Sequence, residues 1–288
     1  MGRRDGKLVK NLDPLHVIMP LLYQNRCDNE AFISERIDLT KINEYLAKKN
    51  EALSPEENGE VFKYTIFHFL VGASMKMVKL RPKMNWFVAN GRIYERNDIT
   101  AAFIVKKKFS ETSEEALAII KAKDDDNLDS IHEKLRHIIY DARSDKLDES
   151  SEAMGIVSKL PFFLVRGAVW AVRQLDKYGQ VPQALIATDP NYSSIFLSNL
   201  GSIKLNSGYH HLTNWGTNSL FIVVGERKMR PFYNDDGTYE MRDSVDIGIT
   251  IDERIADGYY YAKSLRLVRK LIENPELLDQ PLNKEIDY

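Results

Sequence analysis

Residues 244 to 251, SVDIGITI, alternate apolar Val245, Ile247, Ile249 and Ile251 with polar or small partners, the two-residue period of a strand buried on one face. The period then lengthens. After the acidic turn 252–258 (DERIADG), Tyr261, Leu265, Val268 and Ile272 share one helical face while Lys263, Arg266, Arg269 and Lys270 share the other. Asp257 stands where that helix needs an N-cap. The pattern predicts a strand, a turn held at both ends, and a helix.

The same reading applied upstream predicts further elements. ERIDLTKINEYLAKKN passes from a strand carrying Ile37 and Leu39 into a helix capped by Thr40, and the Pro and Gly of NEALSPEENGE mark a loop. Residues 63 to 79 are apolar on most faces, which predicts a buried helix ending before Pro82. WFVANGRIYERNDITAAFIV holds two β-rich runs around Asn90-Gly91, a hairpin signal. ETSEEALAIIKAK, with Thr112 and Glu115 in capping-box spacing, reads as a helix. Beyond DDDN a second helix aligns Leu128, Ile131, Leu135 and Ile138. A third, about 155 to 177, packs Phe162, Phe163, Val165, Val169 and Trp170 and stops at Tyr178-Gly179. SSIFLSN and NSLFIVVGE read as strands flanking a loop that contains His210 and His211.

Composition narrows the possibilities. The 288 residues include 40 basic and 42 acidic side chains, a formal net charge of -2 that gives no general attraction to nucleic acid or anionic lipid. One cysteine, Cys27, excludes an internal disulfide and suits a reducing compartment, so the cytoplasm is expected. MGRRDGKLVKNLDP lacks the apolar segment of an export signal, and Gly6 stands where a myristoylation signal has Ser or Thr. No apolar run approaches the roughly 20 residues that span a bilayer. Walker A, dinucleotide glycine, CxxC and G-x-S-x-G patterns are absent, and His132 and His137 lie five apart rather than at the metal-friendly spacing of four, so no metal is expected. His68, within an apolar helix, reads as a hydrogen-bonded core residue. Lys106 to Lys108 read as a solvated strand end, the alternative being a contact with phosphates.

The turn resembles the DHRxxDG motif of the acyltransferase core of 2-oxo acid dehydrogenase complexes and, more distantly, the HHAxxDG motif of chloramphenicol acetyltransferase. FLSNLG at 196–201 is similar to that family's TISNLG, SLFIVVGE to the strand that follows, LRPKMNWFVANGRIYERNDITAAFIV to its P-x-x-N segment, hairpin and next strand, and AFISERIDLTKINEY to its entry strand and first helix. The resemblance implies an α/β two-layer sandwich, a mixed β-sheet with helices on one face. It implies an N-terminal arm over 1–30 and an acyltransferase-like domain over 31–288. It also implies homotrimers whose active sites lie between subunits, with coenzyme A as a substrate.

In the family a histidine of the turn takes the thiol proton; here the position is Glu253. The resemblance makes Ser198 the oxyanion donor and Asp257 the organiser of the turn, with Asn199, Arg254, His210 and His211 as secondary candidates. Reference acidities make proton transfer from a thiol uphill by about 2.7 kcal/mol to a histidine and about 5.7 kcal/mol to a glutamate. That gap is worth roughly 150-fold in rate unless burial raises the carboxyl. Two readings stay open: a transferase working with Glu253, or a trimeric scaffold or coenzyme A-binding subunit that has lost the chemistry. No lipoyl domain or covalent lipoyl group is expected on this chain, so the acceptor is a free thiol, another small molecule or a separate lipoylated protein.

Overall fold

The computed structural model describes residues 2–55, 61–106, 115–143 and 159–288. Its frame is a seven-stranded mixed sheet. Along it run β2 (Glu30–Asp38), β10 (Tyr239–Asp252), β8 (Leu220–Val224), β7 (Ile195–Asn199), β5 (Thr100–Lys106) and β6 (Glu115–Lys121), while β9 (Lys228–Tyr233) pairs with the first half of β10. β7 is parallel to both β8 and β5; the remaining neighbours are antiparallel. A small separate sheet joins β1 (Gly6–Leu8), β4 (Arg92–Arg96) and β3 (Trp86–Ala89). β3 and β4 are the hairpin expected at Asn90-Gly91, and both turn residues have positive φ, 48° and 68°, as a type I′ turn demands.

Helices α2 (Thr40–Glu51), α3 (Ile66–Leu80), α4 (Leu128–Arg143) and α7 (Gly258–Glu273) pack on one face of the large sheet, where Val245, Ile247, Ile249 and Ile251 point inward as their alternation predicts. α3 is the centre of this layer. Phe69, Val71, Met75 and Val78 are buried along it, each worth about 1.5–3 kcal/mol of apolar transfer. Lys76 is buried too, and its ammonium donates to the carbonyls of Leu277, Gln280 and Pro281 at 3.2, 3.3 and 2.8 Å. Burial pushes its pKa down to about 8. His68 is the expected core histidine: its Nδ1 accepts from the Thr65 backbone N–H at 3.0 Å and closes the capping box of α3.

Four expectations change. Residues 115–121 form β6 rather than a helix, because Ala116, Ala118 and Ile120 alternate into the core once β5 offers an edge to pair with; Thr112 lies outside the described residues. Thr40 is the first residue of α2, not its cap: the Asp38 carboxylate accepts from the Thr40 N–H at 2.9 Å. On α7 the deepest line is Tyr261, Ser264, Leu267 and Leu271, with Leu265, Val268 and Ile272 on its half-buried rim. Finally, α5 (Phe162–Lys177) exists and stops at Gly179, whose φ is 69°, yet it buries none of its side chains. Phe162 is 78% exposed and Trp170 64%, because no other described element of this chain covers that face.

The sheet face opposite the helices carries a thinner layer. Phe221 and Val223 of β8 and Leu212 form a second cluster, flanked by Phe196 and Leu200. The loop 205–218 closes over it so tightly that a Cβ on Gly248 would collide with the Gly208 carbonyl oxygen. Among the described residues no helix is long and apolar enough to cross a membrane.

Candidate functional site

The corner after β10 is rigid because its charges are consumed. Asp252 is fully buried, and its two oxygens accept from Arg254 Nε at 2.7 Å and an Arg254 terminal nitrogen at 2.6 Å. Arg254, equally inaccessible, also donates to the carbonyls of Tyr23 and Gln24 at 2.9 and 3.3 Å. Arg26 lies 3.5 Å from the same carboxylate, and burial holds its pKa below the usual arginine value. A buried pair of this kind locks geometry, since removal of either partner strands a charge at a cost of about 3–5 kcal/mol. Asp257 accepts from the Tyr260 N–H at 2.8 Å, the N-cap that its position implied. Glu253 differs: its backbone N–H donates to the Asn29 carbonyl at 2.9 Å, while its carboxylate is exposed and has no hydrogen-bond or ion-pair partner among the described residues. A short span thus offers one presented carboxylate on a fixed backbone.

Ser198 and Asn199 close β7 at the far end of the sheet. Ser198 is half-buried, and its hydroxyl has no hydrogen-bond partner among the described residues; the turn beyond it is held by Ser202, whose hydroxyl donates to the Asn199 carbonyl at 2.8 Å. Both residues border a cavity of about 550 Å³ whose walls include Phe67, Phe103, Ile104, Leu200 and Ile203. Register fixes the separation from the corner. Ser198 lies beside Val223, which faces Gly248 on β10, and Glu253 is five residues further along. That is about 17 Å along the strand, plus two strand spacings of about 5 Å each. Within one chain Ser198 and Glu253 cannot meet.

The two histidines behave unlike each other. His210 stacks on Phe221 with ring centroids 4.3 Å apart, and its Nδ1 lies 2.9 Å from the His211 carbonyl. His211 is 80% exposed, and its Nδ1 sits 2.8 Å from the Glu30 carboxylate, itself only 2% exposed. Glu30 opens β2 and is the ladder partner of Asp252, so this pair belongs to the Glu253 corner. Glu30 and the Asp252–Arg254–Arg26 cluster carried no local sequence signal: Glu30 meets His211 across 181 positions, a contact that only the fold makes. Among the described residues no group of three or more His, Cys, Asp or Glu is arranged to hold a metal. Lys107 and Lys108 lie outside the described residues, as does the side chain of Lys106.

Residues 183–279, which contain Ser198, both histidines and the whole corner, match the family model of the 2-oxoacid dehydrogenases acyltransferase (catalytic domain). The lipoamide acyltransferase component of the branched-chain alpha-keto acid dehydrogenase complex of Bacillus subtilis (strain 168) is 22% identical over 246 residues, 85% of this chain and 46% of that protein. The chain therefore spans about half the length of the curated relative it matches. Among solved structures, a probable dihydrolipoamide acetyltransferase from Listeria monocytogenes 4b F2365 superposes with a TM-score of 0.59 at 17% identity, covering 98% of both chains. A chloramphenicol acetyltransferase superposes at 0.54 with 13% identity, over 93% of this chain and 99% of its own. The chain has the chloramphenicol acetyltransferase-like fold, a mixed α/β sandwich, and its last third carries the acyltransferase match.

Proposed function

We propose that this protein transfers an acyl group between coenzyme A and a thiol or other small acceptor, at a site completed between copies of the chain. The observation that carries the reading is the separation just described: an unpartnered Ser198 hydroxyl at a cavity mouth and a presented corner, too far apart to act together in one chain. A neighbouring copy that lays its corner against this Ser198 makes one site from two halves. There the hydroxyl donates to the tetrahedral oxyanion, and Asp257 keeps the corner in register by capping α7. A base at the corner face takes the thiol proton; by sequence position alone the candidate is Glu253, which stands at the place of the family's histidine. Residues 1–30 act as an arm and 31–288 as the transferase domain of a cytoplasmic homotrimer. The acceptor is a free dithiol or the lipoyl group of a separate protein, in keeping with the relative named a lipoamide acyltransferase.

One observation favours a second reading. Glu253 is exposed in the single chain and its carboxylate pairs with no described residue, so nothing within the chain orients it as a base. A trimeric coenzyme A-binding scaffold has no need of one. The readings separate when the protein is given acetyl-, propionyl- and branched acyl-CoA with dihydrolipoamide, and coenzyme A binding is followed by calorimetry. Turnover that falls by 10-fold or more in Ser198→Ala supports transfer, whereas binding without turnover assigns the scaffold role.

A further inference from the structure

We infer that His211, held by Glu30, is the general base of this acyl transfer, and that the imidazole the turn lacks is supplied by the loop after β7. The inference rests on the acyl-transfer reading. His211 reaches the corner through one rung of the sheet: Glu30 is the ladder partner of Asp252, and the neighbouring Asn29 carbonyl accepts from the Glu253 N–H at 2.9 Å. The carboxylate of Glu30 is fixed on both oxygens, one accepting from the Leu212 N–H at 2.5 Å and the other lying 2.8 Å from His211 Nδ1. Phe32 packs edge-on to the ring at 6.5 Å. With Nδ1 donating to Glu30, the tautomer is set and Nε2 carries the free lone pair. A buried carboxylate behind an exposed imidazole is the arrangement by which a base is oriented and its protonated form stabilised.

In an ordinary surface ion pair both side chains are solvated and the pair is worth little. Here the acid is 2% exposed and the base 80%, so the pair is anchored inward and open outward. His210, whose ring is stacked on Phe221, has no such partner. The proton balance closes without a further reactant. Nε2 of His211 takes the proton of the acceptor thiol, the thiolate forms a C–S bond at the carbonyl of acyl-CoA, and the tetrahedral adduct expels the coenzyme A thiolate, which recovers the proton from the imidazolium. Transfer in the opposite direction retraces the same steps. His211 is then a catalytic residue and Glu30 a positioning residue.

The test compares steady-state acyl transfer by the full chain and by His211→Ala, His211→Gln, Glu30→Gln and Glu30→Asp, with circular dichroism verifying that each is folded. Both His211 substitutions are expected to lower kcat about 100-fold or more with little change in KM for acyl-CoA, and free imidazole in the buffer is expected to restore part of the loss in His211→Ala. Glu30→Gln weakens the acceptor that orients the ring, so kcat falls about 10-fold with little change in KM for acyl-CoA, and Glu30→Asp restores part of the loss. Wild-type rates in His211→Ala, or a loss that imidazole does not relieve together with an unchanged kcat in Glu30→Gln, would overturn the assignment while leaving acyl transfer intact. A wild type that turns over none of the donors overturns the acyl-transfer reading and the base with it.

Discussion

At the residue scale, what the sequence discloses and what it hides divide by range. Asp257 was legible because a cap is tied to the first turn of its own helix, and His68 because an imidazole inside an apolar helix needs a local partner, which Thr65 supplies. Glu30 was invisible, since a glutamate opening an edge strand looks like any solvated end until a loop from residue 211 folds back on it. His68 leads to a measurable consequence. It is 3% exposed, its Nε2 has no hydrogen-bond partner among the described residues, and burial beside His132 pushes its pKa down to about 3. The unfolded histidine titrates near 6.5, so between those values the unfolded state binds more protons and the fold loses stability as pH falls. The contribution is complete above about pH 7. Chemical denaturation at pH 7.5 and 5.5 should show a loss on the order of 1 kcal/mol from this residue, and His68→Gln should remove that increment; an unchanged increment would place the acid sensitivity elsewhere.

Between residues and the whole molecule stand the elements, and there periodicity succeeds where burial is one-sided. Val245 to Ile251 alternate because β10 has helices on one side and a loop on the other, and Leu128 to Ile138 keep a stripe because α4 has a wet face. It fails at 115–121, where ALAII suits either a helix or a strand and only the open edge of β5 decides. Boundaries follow the caps: Asp257 stops α7 from fraying into the corner, as Asp38 does for α2. Asp257→Ala should cost about 1 kcal/mol by loss of the cap, seen as a lowered Tm. Because the cap closes the corner beside which Glu30 holds His211, kcat should fall in that variant, whereas Asp38→Ala should lower Tm alone. Equal kinetic effects of the two would remove any special role for the Asp257 cap.

At the scale of the molecule, the proposed trimer rests on two features that point the same way. Its proposed site is split across the sheet, and its surface carries apolar groups that a solitary domain gains nothing by exposing. Leu15, Ile18, Leu21 and Leu22 project from α1 (Pro14–Leu22), and Phe162, Phe163 and Trp170 project from α5. The spacing of Phe162, Phe163 and Trp170 was read from sequence as core packing, which is physically the same signal: a stripe says that a face is covered without saying by which chain. Another copy is the occupant consistent with a site that needs two chains. Covering such a patch is worth roughly 25 cal/mol per Å², so association should depend on it. Light scattering should find a trimer for the native chain, and Phe163→Arg with Trp170→Arg should shift it toward monomer. The melting of the isolated chain should be little changed, since neither side chain contributes to its core. Acyl transfer should disappear with the trimer, because Ser198 and the corner then lose each other. A monomeric variant that retained full turnover would show that both halves of the site act within a single chain.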